Sequence, residues 1–405
     1  MNFPARRADT LFTDRGLPQE TLDVRAEVRA FADEHIRPVA HTLNTTPESA
    51  EAFPRDLFNA MASAGLYEIP FPADVGGRGL AYPTLATVTA IEEIAYYSPS
   101  LASSMYDGQA ILVGKTLDNA PGLREIYLPR LIRGEFVGSF ATSEPEASTD
   151  LSVESLQTLA EKVDGGYRIN GTKRWITNSP VADLIVVLCK TGSGLTMLLA
   201  DMHDPGVTVS EPDLKMGNYV QLTADIQFKD VFVPDDHVAG SENGGLRAAI
   251  GSLVLGRMGI GACGVAMGQA AFDFAVDYMG KRKVFGQALA RFQHWQFRFA
   301  DHAMALESAR ALYQKAAMIY DENGRCDLET AMCKVKGSEL AVDIARDAIQ
   351  VCGAYGFVRE LKGPGQAFPL ESIYRDAKIG EIYEGANEIQ RWVIARSIFG
   401  RDLTG

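Results

Sequence analysis

Apolar residues recur at helical spacing from Leu22 to about residue 135. In "LDVRAEVRAFADEHIRPVAHTL" Val24, Val28, Ala32 and Ile36 stand four apart and share one face. "FPRDLFNAMASAGLYEI" repeats the pattern, with Pro54 entering the helix and Gly65 ending it. A glycine-rich connection, "PADVGGRGL", leads to a further amphipathic helix in "YPTLATVTAIEEIAYY". Between roughly 136 and 240 the period changes to two. "YRINGTKRWIT" alternates around the turn-forming pair Asn170-Gly171, which reads as a hairpin. "ADLIVVLCKT", "LTMLLADM" and "ADIQFKDVFVP" are short β-branched runs bounded by glycine, proline and aspartate. From about 245 the helical period returns in three long segments, which predict a bundle. Small residues in the first of them (Gly256, Gly259, Gly261, Ala262, Gly264, Ala266) would let helices approach closely. The expected architecture is mainly α with a central β domain. A helical domain covers 1–135, a small β domain of barrel or sandwich type covers 136–240, and a helical bundle covers 241–405.

Composition narrows the function classes. With 405 residues, an apolar fraction of 46% and a charged fraction of 22%, the chain is an ordinary globular protein with room for two or three domains. A net charge of -13, spread along the chain, argues against a nucleic-acid surface and against an anionic membrane face. The five cysteines lack CxxC spacing, and Cys189 and Cys263 lie in apolar or small-residue runs, so buried free thiols are expected. The six histidines form no HxxxH or HExxH pattern, and no metal site is expected. No run approaches membrane-spanning length and "MNFPARRADTLFTDRG" has no apolar core, so the expected location is cytoplasmic, without membrane insertion.

Five stretches carry possible chemistry, each with a plainer structural reading. "FATSEPEASTD" (140–150) is rich in hydroxyls and acids, as a ligand loop or an ordinary surface loop would be. "RWITNS" (174–179) sets a large indole beside a hydroxyl and an amide, fit for a wall against a flat heteroaromatic ring or for strand-end packing. "KRKVFGQALARFQHWQF" (281–297) opens with a basic cluster that suits a phosphate or a solvated helix start. "IQVCGAYGF" (349–357) ends a helix in glycines that would admit a phosphate or simply cap the helix. In "IGEIYEGANEIQR" (379–391) Glu384 follows the apolar pair Ile382-Tyr383 and precedes Gly385. Glycine costs about 1 kcal/mol inside a helix and marks special backbone geometry, which sits poorly with a Glu on a solvated helix face.

In this order and spacing the motifs resemble the acyl-CoA dehydrogenase family of flavoproteins. The likeness runs from "RAFADEHIRPVA" through "AGLYEIPFPADVGGRGL" and "GRMGIGACGVAMGQA" to "RDAKIGEIYEGANEIQR", with "RKVFG" and "WITN" between. It implies an N-terminal helical domain, a central β domain and a C-terminal four-helix domain. It also implies a homotetramer or dimer in which FAD is completed across a subunit interface. Carried over by motif, Phe140, Thr142, Ser143 and Thr149 would lie along the flavin, Trp175 and Thr177 would flank its ring, and the Thr177 hydroxyl would sit near N5. Arg282, Phe285, Gln293, Gln350 and Gly353 would reach a neighbouring subunit's FAD. Glu388 joins the cofactor set, with a helix-surface or scaffold role as its plainer reading.

The family reaction, implied here by resemblance, oxidises an acyl thioester to the trans-2-enoyl thioester. FAD accepts the hydride, since no side chain can. The α-proton base should be a carboxylate whose pKa an apolar pocket raises towards roughly 6–7. Glu384 matches that base, and its N–H would help hold the thioester oxygen. Some members keep the base one residue before the "GRMGI" arginine; here that position is Gly256. Ser104, Asp107, Arg257, Tyr383 and Gly385 would surround the substrate. Bulky Tyr106 and charged Asp107 on "LASSMYDGQAIL" suggest a short, branched or polar-ended acyl group. The implied partners are an acyl-CoA and an electron-transfer flavoprotein.

The chain departs from the family at Ala386, often Thr, which removes a hydroxyl contact worth about 1 kcal/mol. It departs also at Ala354, Val254 and Tyr219. The last two fall where the thioester carrier is handled, and leave open a substrate tethered to a carrier protein through phosphopantetheine. A flavoprotein oxidase on the same fold is a further alternative, although Glu at 384 differs from the Asp of nitroalkane oxidases. A non-enzymatic CoA-binding scaffold is weakened by the carboxylate at 384.

Overall fold

The computed structural model describes residues 3–12, 16–147 and 149–404, leaving aside the side chains of Met105 and Asp107. The expected stripe Val24, Val28, Ala32, Ile36 is buried along α1 (Gln19–Phe31) and the π turn Ala32–Ile36 that continues it. α2 (Arg55–Ser63) starts after Pro54, and Gly65 beyond it takes φ 68°, the left-handed stop that glycine allows. α3 (Pro83–Ala95) corrects an expectation. It is buried on every side from Thr84 to Ala95 rather than amphipathic. Its two carboxylates tolerate this because Arg310 reaches Glu92 at 2.9 Å and Arg29 reaches Glu93 at 2.9 Å. A π-helical stretch (Ala102–Val113) and α4 (Pro121–Ile132) complete the region.

Seven strands form one sheet: β1 (Gly138–Ala141), β2 (Leu159–Val163), β3 (Gly166–Thr177), β4 (Leu184–Thr191), β5 (Gly194–Asp201), β6 (Val207–Val209) and β7 (Thr223–Pro234). One edge of β4 pairs antiparallel with β5; its other edge is shared by β1 and β2, both parallel to it. The unbroken apolar run of β4 follows from burial on both faces. Ile185, Val187 and Cys189 point into a core enclosed by the sheet, whereas Val186 and Leu188 pack on the helices. The predicted hairpin at Asn170-Gly171 is absent. Both residues lie inside β3 at a register shift against β7, Gly171 at φ 150°, where a methyl would lie 2.6 Å from the Thr158 α carbon. The β2–β3 hairpin turns instead at Asp164-Gly165, with Gly165 at φ 74°.

The C-terminal region contains α5 (Gly245–Lys281), α6 (Gln293–Asn323), α7 (Asp327–Cys352), α8 (Leu370–Ala377) and α9 (Asn387–Phe399). Small residues do bring α5 and α7 together: a methyl built on Gly264 would lie 2.3 Å from the Gly337 oxygen, and one on Gly337 2.4 Å from the Gly261 oxygen. Among the described residues α5 is long and apolar enough to cross a membrane by length and composition, contrary to the sequence reading, and most of that stretch is buried inside the protein. All five cysteines are buried and free, as expected.

Candidate active site

Where the sheet meets α5 and the segment between α8 and α9, a cleft of about 720 Å³ opens, within the range of small-molecule and cofactor sites. Three local devices shape it. The first is the loop after β1. Glu144, for which the sequence suggested no role, accepts the N–H groups of Gln157 (2.6 Å) and Thr158 (3.0 Å) and the buried ammonium of Lys173 (2.8 Å). This pin holds Thr142, Ser143 and Thr149 at the cleft wall with Phe140.

The second device is a bulge in β3. Pairing with β7 slips between Lys173 and Ile176, and Trp175 takes φ 56°, a strained value for a large side chain. The bulge throws the indole outward, so that 62% of Trp175 is exposed along the cleft. Thr177 follows at the strand end, its hydroxyl accepting from Gln221 Nε2 at 3.1 Å. A flat apolar face flanked by hydroxyls fits a heteroaromatic ring system such as a flavin.

The third device is the Ile382–Ala386 segment, which is not helical. Glu384 at φ 54° and Gly385 at φ 92° are consecutive left-handed residues. Arg257 Nε donates to the Glu384 carbonyl at 2.8 Å, and Gln390 Nε2 to that of Gly385 at 3.1 Å. Glycine at 385 is required twice, by its φ and because a methyl there would lie 2.7 Å from Gln390 Nε2. The Glu384 carboxylate rests against Gly256: a methyl on Gly256 would stand 2.2 Å from Oε2. Positions 256 and 384 thus share one space, and only one can carry a side chain into it.

Two cations act on this carboxylate, Lys334 buried and Arg257 half-buried. Arg257 sits below its ordinary range because of that partial burial, against the pull of Glu384 and Asp327. Lys334 on α7 donates to Asn387 Oδ1 at 2.8 Å; burial pushes its ammonium down to about 8, and Glu384 is the foremost charge opposing that shift. Lys334 was not singled out in the sequence, where it reads as one more helical lysine.

The cleft brings together Phe140, Thr142, Ser143, Thr149, Trp175, Thr177, Arg257, Tyr383, Glu384 and Gly385. Ser104 needs correction: it is buried and donates to Asn178 Oδ1 at 2.5 Å, and its neighbour Ser103 lines the cleft, 3.2 Å from the Tyr383 hydroxyl. Tyr106 packs in the core, its ring centroid 6.3 Å from that of Tyr67, and does not border the cleft. The Asp107 side chain lies outside the described residues. Arg282, Phe285, Gln293, Gln350, Gly353 and Glu388 do not line the cleft; all are exposed. At Tyr219, a departure noted in the sequence, the ring lies under the Arg375 guanidinium at 4.8 Å.

Models of the acyl-CoA dehydrogenase N-terminal, middle and C-terminal domains match residues 18–135, 139–231 and 243–399. The chain belongs to the acyl-CoA dehydrogenase family. An acyl-CoA dehydrogenase of Bacillus subtilis (strain 168) is 34% identical over 394 residues, covering 94% of this chain and 98% of that protein. The mitochondrial short-chain specific acyl-CoA dehydrogenase of Rattus norvegicus is 35% identical over 396 residues, covering 96% and 92%. Butyryl-CoA dehydrogenase from Megasphaera elsdenii superposes with a TM-score of 0.88 at 29% identity, covering 95% and 100%. These are oxidoreductases, and the chain is an enzyme of that kind.

Proposed function

We propose that this acyl-CoA dehydrogenase family member oxidises a short acyl-CoA to its trans-2-enoyl-CoA in the cleft, with Glu384 as the α-proton base. The reading is carried by one observation: the Glu384 carboxylate, seated on Gly256, borders the same cleft as Trp175 and Thr177. FAD, held against Trp175, Thr177 and the hydroxyls of Thr142, Ser143 and Thr149, would supply the two-electron oxidant for the β carbon. The chain's own work is the rest. Glu384 takes the α proton and ends as the carboxylic acid. Arg257 holds the Glu384 carbonyl and so fixes the backbone beside the carboxylate, where the Glu384 N–H would meet the thioester oxygen as charge develops there. Ser103 and Tyr383, joined by their hydroxyls, bound the acyl end with Leu112.

A short acyl group is supported by the resemblance to short-chain and butyryl-CoA enzymes. The proposal extends to electron-transfer flavoprotein as the acceptor, to assembly as a tetramer or dimer, and to a cytoplasmic location. The test is anaerobic titration of the FAD-loaded protein with short, branched and medium acyl-CoAs while its visible spectrum is recorded. Bleaching by a short acyl-CoA is expected. A yellow protein that no acyl-CoA bleaches would replace CoA by a carrier-protein thioester, and a colourless protein that cannot be reconstituted with FAD would remove the mechanism.

A further inference from the structure

The turn between β6 and β7 carries a hydrogen-bond chain that ends on the hydroxyl of Thr177. It begins at Asp376 on α8, whose Oδ1 accepts the backbone N–H of Asn218 at 2.6 Å. The Asn218 side-chain amide donates to Gln221 Oε1, and Gln221 Nε2 donates to Thr177 Oγ1 at 3.1 Å. The turn has little freedom to shift: Lys215 Nζ donates to the Gln221 carbonyl at 3.0 Å and reaches Glu48 at 3.0 Å. Asn218, Gln221 and Thr177 all border the cleft.

The direction of this chain has a chemical consequence. An amide NH₂ can only donate, and Gln221 turns its NH₂ to Thr177 because its oxygen is engaged by Asn218. The Thr177 oxygen is thereby an acceptor on the protein side. Its proton has no other protein acceptor among the described residues, and the cleft lies open beside it. A hydroxyl that accepts one hydrogen bond also becomes a better donor of the next.

We propose that Gln221 is a positioning residue that turns the Thr177 hydroxyl proton into the cleft, making Thr177 a dedicated donor to an acceptor atom of a flat heteroaromatic ring lying against Trp175. The inference rests on the functional reading above in taking that ring to be FAD. It assigns to Gln221 and Asn218 a function that acts wholly through Thr177.

Gln221→Glu is the discriminating variant. The carboxylate is nearly isosteric and still accepts from Asn218, but it captures the Thr177 proton and turns it away from the cleft. FAD dissociation constants, measured on apoprotein by flavin fluorescence, should rise roughly three- to tenfold, the loss of one neutral hydrogen bond. The visible band of the bound oxidised flavin should shift with it. Asn218→Ala, which frees the Gln221 amide to flip, should move both readouts in the same direction by less, and serves if Gln221→Glu folds poorly. In a Thr177→Val background Gln221→Glu should no longer change FAD affinity. An equal loss of affinity with and without the Thr177 hydroxyl would overturn the proposal in favour of a bare charge or packing effect. Tighter binding by Gln221→Glu would also overturn it, because the hydroxyl would then run the opposite way. A wild-type protein that takes up no FAD overturns the functional reading and this inference together. One that binds FAD but fails the double-variant comparison overturns this inference alone.

Discussion

The residues singled out for cofactor chemistry fall into two groups with opposite surroundings. The first, including Phe140, Trp175, Thr177 and Glu384, converges on one cleft and is held by buried pins: Glu144 on Lys173, Arg257 on the Glu384 carbonyl, Asp376 on Asn218. The second (Arg282, Phe285, Gln293, Gln350, Gly353) lies away from that cleft, exposed at the ends of α5, α6 and α7. Phe285 is 96% exposed at φ 49°, a strained aromatic left open to solvent among the described residues. In the proposed reading one chain supplies the reacting side of the site, which the described residues of the cleft gather together. The second group is presented outward, as the proposal of a cofactor shared with a second copy requires.

The largest effect is expected on the cleft side. Gly256→Val would drive a branched side chain into the space of the Glu384 carboxylate. The dehydrogenation rate should fall about a hundredfold, the cost of misplacing a catalytic group by an ångström, with little change in fold by circular dichroism. Lys334→Met comes next. The Lys334 ammonium favours the anionic form of Glu384, so its removal should move the acid limb of the kcat/KM profile to higher pH, and Lys334→Arg should restore it. Because burial pushes Lys334 down to about 8, the two profiles should converge above that pH.

Asp376 gives a stability effect. Burial, partly offset by the Asn218 N–H, raises its carboxyl from 3.8 to about 7. The folded state then holds a proton that the unfolded state releases between these values, so stability falls as pH rises through that window. The slope from this group is at most about 1.4 kcal/mol per pH unit. In Asp376→Asn, which can still accept from Asn218, urea unfolding at pH 5 and pH 8 should differ less than in wild type. The smallest effect is expected on the exposed side. Phe285→Ala should change unfolding free energy by less than about 0.5 kcal/mol. If a second copy covers that surface, the variant should nonetheless lose FAD faster on dilution; equal retention would count against shared binding.

The sequence made the first group legible because its residues carry local marks. Gly385 after an apolar pair announced a special backbone, and the indole of Trp175 stands beside a hydroxyl and an amide. The stripe Val24 to Ile36 and the glycines of α5 were legible for the same reason, a period or a size that only one packing satisfies. What failed were choices that depend on distant parts of the chain. Asn170-Gly171 suits a hairpin and a bulge equally, and pairing with β7 selects the bulge. Ser103 rather than Ser104 borders the cleft because Asn178, on a distant strand end, engages the Ser104 hydroxyl, while Ser103 faces Tyr383. The tightly buried α3 was misread because the partners of Glu92 and Glu93 lie on other helices. Gln221 and Lys334 bear no local mark at all; their importance comes from contacts more than forty residues away.

The most direct test of the central claim is rapid anaerobic mixing of a short acyl-CoA with FAD-loaded wild-type protein and with Glu384→Gln, following the visible flavin absorbance. Bleaching is expected in the wild type, at a rate roughly a thousandfold lower in the variant, with the oxidised spectrum unchanged before mixing. Bleaching at equal rates in both proteins would show that another group removes the α proton, and Glu384 would lose its assigned role.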